Sequence, residues 1–175
     1  MNIVLFGFMG TGKSAVAQVL ARRLNLRWQD MDKVIEGRLG SSIEGIFEKY
    51  GEAYFRQLER ELVQELVREE GMIVSTGGGV VLDDRNIADF QTWGLCICLN
   101  AGSKIILERT RFRQDRPLLK GQDPMKKIRD LLELRRPFYQ KIQNQLDTTD
   151  KSVHDVVETI LSMIEEYKKL RGTNI

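Results

Sequence analysis

Apolar positions along the chain fall into short unbroken runs that alternate with longer stretches of helical spacing. "NIVLF" (2–6) is a run of the first kind. Residues 13–24 are of the second kind, with Val16, Val19, Leu20 and Leu24 on one face. A short strand is expected at 27–29. "SSIEGIFEKYG" then reads as a helix, in which Ser41 and Glu44 have capping-box spacing and Gly51 supplies the stop. Residues 54–69 form the next predicted helix, with Phe55, Leu58, Leu62 and Leu66 inward, and "MIVS" (72–75) and "LCICL" (95–99) are the next strands. Residues 103–112 look helical, whereas "RQDRPLLKGQDP" (113–124) breaks all periodicity and is expected to be an exposed loop. Residues 125–144 are predicted helical with a kink at Pro137. A final helix at 153–169 carries Val153, Val156, Val157, Ile160, Leu161 and Ile164 as one stripe.

Strands and helices in alternation, with nearly all-apolar strands, predict a parallel sheet covered on both faces: an α/β three-layer sandwich. Ligands of such sheets bind beyond the carboxyl ends of the strands. The loops after Phe6, Gln29, Ser75 and Leu99 should therefore line one crevice. No repeat, low-complexity tract or linker interrupts the 175 residues, so they read as a single domain.

Composition removes several function classes. Lys and Arg number 27 against 25 Asp and Glu, and a net charge of +2 leaves no electrostatic footprint for nucleic acid or an anionic membrane. No apolar run approaches the ~20 residues of a membrane span. The opening "MNIVLFGFMG" lacks a basic n-region and a small-residue cleavage site, so a cytoplasmic location is expected. Cys96 and Cys98 would share one face of a strand, where they are read as buried structural thiols rather than a disulfide. The lone His154 sits on a charged helix and is read as a surface residue.

"GFMGTGKS" (7–14) is a full G-x-x-x-x-G-K-[ST] motif with a strand before it and a helix after it. Its glycines turn successive backbone N–H groups inward to cradle phosphate, helped by the helix N-terminus. Lys13 would reach the β- and γ-phosphates, and the Ser14 hydroxyl would ligate Mg²⁺. No Asn-Lys-x-Asp guanine-reading segment is present.

Four further features concern what receives the phosphate. Asp30 and Asp32 of "QDMDK", one strand period apart, can face the same crevice, and they also suit an ordinary solvated turn. Arg56 and Glu59 are helix neighbours, a spacing equally common in surface pairs of little consequence. Arg135 falls on the apolar stripe of Ile128, Leu131, Leu132, Phe138, Tyr139 and Ile142. An inward guanidinium needs an anion, either an internal carboxylate or that of a substrate. Finally, Arg109, Arg111 and Arg113 lead into Arg116 of "DRPLL". An arginine on a lid there can neutralise the transferring phosphoryl group and exclude water.

The segments "GFMGTGKS", "DMDKVIE", "SSIEGIFEKYGEAYFRQLE", "STGGGVV", "DRPLL" and "RRPFY" stand in an order and at spacings that resemble the shikimate kinases over nearly the whole length. The resemblance implies a P-loop NTPase fold like that of nucleoside monophosphate kinases, with a central parallel sheet of about five strands. An acceptor-binding region would span about 32–60 and a lid about 112–124. It implies transfer of the ATP γ-phosphoryl group to the 3-hydroxyl of shikimate, with Mg²⁺, on the way to aromatic amino acids. By the family pattern Gly10, Thr11, Gly12, Lys13, Ser14 and Ala15 bind the nucleotide, Arg109 stacks near adenine, and Arg116 reaches the phosphates from the lid. Ser14 and Asp30 serve the metal. Asp32 binds the acceptor hydroxyls, Arg56 and Arg135 hold its carboxylate, and Glu59 orients Arg56. Gly77, Gly78 and Gly79 let the acceptor ring approach the main chain. Lys13, Asp32 and Arg116 are the expected catalytic residues. The expected partners are shikimate and ATP alone, with no nucleic acid and no membrane, in a monomer. The competing readings are a kinase for another carboxylate-bearing polyol such as gluconate, and a regulatory module that binds nucleotide without transferring phosphate.

Overall fold

Successive side chains of the first strand, β1 (Ile3–Gly7), serve two different cores. Ile3 and Leu5 join one apolar cluster and Val4 and Phe6 the other, as the two-residue period of a strand requires. The computed structural model describes residues 1–111, 123–170 and 172. In it β1 is flanked by β3 (Met72–Ser75) and β4 (Leu95–Asn100), with β2 (Arg27–Asp30) and β5 (Asn144–Asp147) at the edges. The order is β2-β3-β1-β4-β5 and every pairing is parallel, with Val4 beside Val74 on one side and Cys96 on the other. Helices α1 (Lys13–Leu24) and α7 (Val153–Leu170) pack on the Ile3/Leu5 face. The other face is covered by α3 (Ile43–Leu66), α4 (Asp84–Trp93) and α6 (Pro124–Tyr139), with Met31 and Ile35 of α2 (Met31–Leu39) and Ile106 of α5 (Ser103–Thr110). The three-layer expectation is met.

Several local expectations are corrected. Asp30 and Asp32 are not alternate residues of one strand. Asp30 has extended backbone and accepts the Lys33 N–H, so it caps α2 and puts Asp32 in the first helical turn. The cap of α3 is Ser42, which accepts the Gly45 N–H at 3.1 Å, rather than Ser41. Gly51 interrupts that helix with φ 81 and ψ 168, and helix resumes immediately, ending at Leu66 rather than 69. Helix α4 was not anticipated, although Asp83 caps it and Ile87 and Phe90, three residues apart, are both buried. Helix α6 ends at Tyr139, and Asn144 already belongs to β5.

The thiols of Cys96 and Cys98 are free and buried, and burial pushes both up to about 12, so neither is a nucleophile. His154 is exposed. Among the described residues no helix is long and apolar enough to cross a membrane.

Candidate active site

The carboxyl ends of β1, β2 and β3 open into a cavity of about 280 Å³, sized for a small molecule. At one end lies the glycine loop. Gly7, Gly10 and Gly12 have φ of 142, 78 and 96, conformations that a side chain would strain. Gly7 also passes so close to β4 that an added Cβ would stand 2.2 Å from the Leu99 carbonyl oxygen. Lys13 folds back over this loop, donating to the Gly7 oxygen at 2.8 Å and the Phe8 oxygen at 2.9 Å. Thr11 donates to the Phe8 oxygen, and Ala15 follows in the first turn of α1.

Ser14 donates to Asp30 Oδ2 at 2.5 Å, and the Ser75 hydroxyl lies 3.3 Å from that of Ser14. Asp30 and Ser75 are register partners of β2 and β3, which explains their meeting. These are hard oxygen donors of the kind Mg²⁺ prefers, and an ion held by one or two side chains together with phosphates is its usual arrangement. Among the described residues no cluster of three His, Cys, Asp or Glu side chains could hold a metal without such help.

The other end of the cavity carries two arginines. Arg56, on α3, donates to Glu59 Oε2 at 2.5 Å and to Glu52 Oε1 at 2.7 Å, and lies over the Phe55 ring. Glu59 is 1% exposed, so this is no surface pair. Burial pushes the Glu59 carboxyl up to about 7, Arg56 pulls it back, and Asp32 adds to the rise. Arg135, on α6, is 3% exposed and donates to the Gly78 oxygen at 3.2 Å, above the Phe8 ring. None of the ion pairs among the described residues includes it, and its Nε has no acceptor there. Among the described residues the Arg135 guanidinium thus has a carbonyl acceptor but no carboxylate. Arg136 points outward to Glu133.

The three glycines serve these side chains rather than unusual dihedrals, since none of them has positive φ. A Cβ at Gly77 would stand 2.6 Å from Glu59 Oε1 and 2.7 Å from Asp32 Oδ1, and one at Gly79 would stand 2.2 Å from Arg56 Nη1. At Gly78 it would meet nothing closer than 3.5 Å. The acid and arginine groups thus lie directly against the strap. Its Gly78 carbonyl also accepts from Tyr139 at 2.6 Å, and burial holds that phenol well above its ordinary value, so it stays a donor.

Lys13, Ser14, Asp30, Asp32, Arg56, Gly78, Gly79 and Arg135 all line the one cavity. Arg109 stands apart from it, at the far side of the glycine loop. It donates to the Thr148 oxygen at 2.8 Å, to the Thr148 hydroxyl and to the Gly10 oxygen, tying the loop to the turn after β5. Arg116 and most of the expected lid lie outside the described residues. Sequence reasoning missed Ser75, whose part depends on a strand register, and Tyr139, whose buried hydroxyl needed a partner and could have been flagged on that ground.

The family model described as shikimate kinase matches residues 9–165. The chain belongs to the shikimate kinase family. A shikimate kinase of Caldanaerobacter subterraneus subsp. tengcongensis is 44% identical over 171 residues, covering 98% of each chain. The solved shikimate kinase from Acinetobacter baumannii, in complex with shikimate, superposes with a TM-score of 0.91 at 34% identity, covering 95% of this chain and 94% of that one. A gluconokinase from Sinorhizobium meliloti shares the fold, with a TM-score of 0.61 at 14% identity, covering 98% and 97%. Membership of the shikimate kinase family makes the chain an ATP-dependent kinase and sets aside the purely regulatory module.

Proposed function

We propose that this protein transfers the ATP γ-phosphoryl group to the 3-hydroxyl of shikimate, forming shikimate 3-phosphate and ADP. The observation that carries the reading is the buried Arg135, without an acid partner among the described residues, beside Arg56 and Asp32 in a cavity that begins at the phosphate loop. A small molecule bearing one carboxylate and neighbouring hydroxyls suits this set, the arginines taking the carboxylate and Asp32 the hydroxyl. The family membership and the shikimate bound by the Acinetobacter relative favour shikimate among such acceptors.

Each residue then has a task. Lys13 leaves the Gly7 and Phe8 carbonyls to meet the β- and γ-phosphates, which the backbone of Gly10, Thr11, Gly12, Ser14 and Ala15 cradles. Ser14 and Asp30 would hold Mg²⁺, which would supply charge neutralisation to the phosphates. Asp32 accepts a hydrogen bond from the attacking hydroxyl and aims it. The transition state is loose, so positioning outweighs the pull of a strong base. Arg56, Arg135 and the strap of Gly77, Gly78 and Gly79 fix the acceptor ring. Arg109 stacks near adenine from its anchor on Thr148, and Arg116 reaches the phosphates from the lid. The protein works as a cytoplasmic monomer, without a nucleic acid or membrane partner.

The test is ADP release from Mg²⁺–ATP with shikimate, quinate, gluconate or no acceptor. Strong stimulation by shikimate alone is expected. A preference for gluconate would preserve the nucleotide reading and overturn the acceptor reading.

A further inference from the structure

Glu59 is more deeply buried than its work as a brace for Arg56 requires. Its Oε2 accepts from Arg56, whereas Oε1 has no donor among the described residues. Both Glu59 Oε1 and Asp32 Oδ1 lie against Gly77, within about 5.3 Å of each other. The charges around Glu59 come from three helices: Arg56 and Glu52 on α3, Asp32 on α2, and Arg135 on α6, with the Tyr139 hydroxyl behind Gly78. Lys13 stands across the cavity.

A carboxylate that enters between Arg56 and Arg135 competes with Glu59 for the same guanidinium and adds a negative charge to a water-poor site. With Glu52, Asp32 and Glu59 that makes four carboxylates against two guanidiniums, which favours neutralising the one with the least access to water. We propose that Glu59 takes up a proton from solvent as the carboxylate of the acceptor binds, releasing Arg56 to hold that carboxylate, and returns it when product leaves. One proton passes from water to a Glu59 oxygen and back, and no other bond changes. Glu59 is then a positioning residue whose grip on Arg56 is set by the ligand. In the empty cavity burial already holds its carboxyl at about 7, so a further negative charge acts on a group balanced near neutrality. The inference rests on the acceptor reading given above.

The experiment is titration calorimetry of shikimate into the full chain at pH 7.5, in buffers with different ionisation enthalpies. Uptake of roughly half a proton per shikimate bound is expected, disappearing in Glu59→Gln and with the uncharged carboxamide of shikimate. Uptake must also appear as affinity that weakens as pH rises from 7 to 8.5. Should the glutamine variant not fold, this pH dependence and the carboxamide comparison decide. Binding heats independent of buffer, or uptake that persists in Glu59→Gln, would overturn the inference while leaving the acceptor reading intact. Silence toward shikimate would overturn both.

Discussion

Replacing Gly79 with alanine inserts one methyl group where the structure has least room for it. The backbone does not object, since Gly79 has φ −104, which alanine adopts freely. The added Cβ would stand 2.2 Å from Arg56 Nη1, 2.4 Å from Cζ and 2.5 Å from Nη2. Ordinary contact begins near 3.4 Å, so the guanidinium must retreat by about 1.2 Å. It can do so cheaply, because it ends a long flexible side chain to which all three nearest atoms belong. The fold should therefore survive with only a small change in melting temperature. The retreat removes a charge-assisted hydrogen bond to the acceptor carboxylate, worth about 1.5–3 kcal/mol, or roughly 10- to 150-fold in affinity. Steady-state kinetics should show KM for shikimate rising by that factor, with KM for ATP within twofold of the parent. Gly37→Ala on α2 is the control, since its Cβ would meet nothing within 4 Å and it lies outside the cavity. An unchanged shikimate KM in Gly79→Ala, or equal losses for both substrates, would refute the claim that the strap is there to seat Arg56.

Three other outcomes follow from the same geometry. Arg135→Lys keeps the charge but gives up the planar fork, and shikimate KM should rise about tenfold or more with ATP little affected, as measured by kinetics in each substrate. Tyr139→Phe removes a bond to the Gly78 carbonyl, which keeps Arg135 as a donor, so denaturant unfolding should show a loss of about 1 kcal/mol. For Glu59 the folded chain binds a proton that the unfolded chain has released, so its contribution to stability is lost as pH rises from 4.5 to about 7. Relative to Glu59→Gln, the parent protein should lose up to about 3 kcal/mol between pH 4.5 and 7.5 in chemical denaturation. A constant difference would place the Glu59 carboxyl near its ordinary value.

The sheet interior was legible because Ile3 to Phe6, Met72 to Val74 and Leu95 to Leu99 are covered on both faces, which leaves unbroken apolar runs. β5 shows no such run. It is an edge strand in which Leu146 alone is buried, so the helical pattern before it was extended to Asn144. α2 was hidden by the same economy: the Asp30 that ends β2 also caps the helix, leaving no loop to mark the change. The site was legible residue by residue but not in its contacts. Arg135 was visible as a charge on an apolar stripe, yet only the tertiary structure shows that no acid among the described residues meets it and that Arg136 turns away. The glycines were readable as a place of close approach. That Gly77 and Gly79 yield to side chains and Gly78 does not depends on α2 and α3 reaching the same strap.

The strand order β2-β3-β1-β4-β5 also divides labour. One flank, from β2 through α2 and α3 to β3, supplies Asp32, Arg56, Glu59 and the glycines. The other, with α5 and the turn after β5, brings Arg109 and Thr148 together beside the glycine loop. On the proposed reading, most of what would select the acceptor falls within one contiguous stretch, about residues 32–79, in which Ser75 still meets Ser14 of the phosphate loop. Arg135 and Tyr139 cross the divide, both donating to Gly78 from a helix late in the sequence. Any graft of a new acceptor specificity onto this framework would have to carry position 135 along with the stretch.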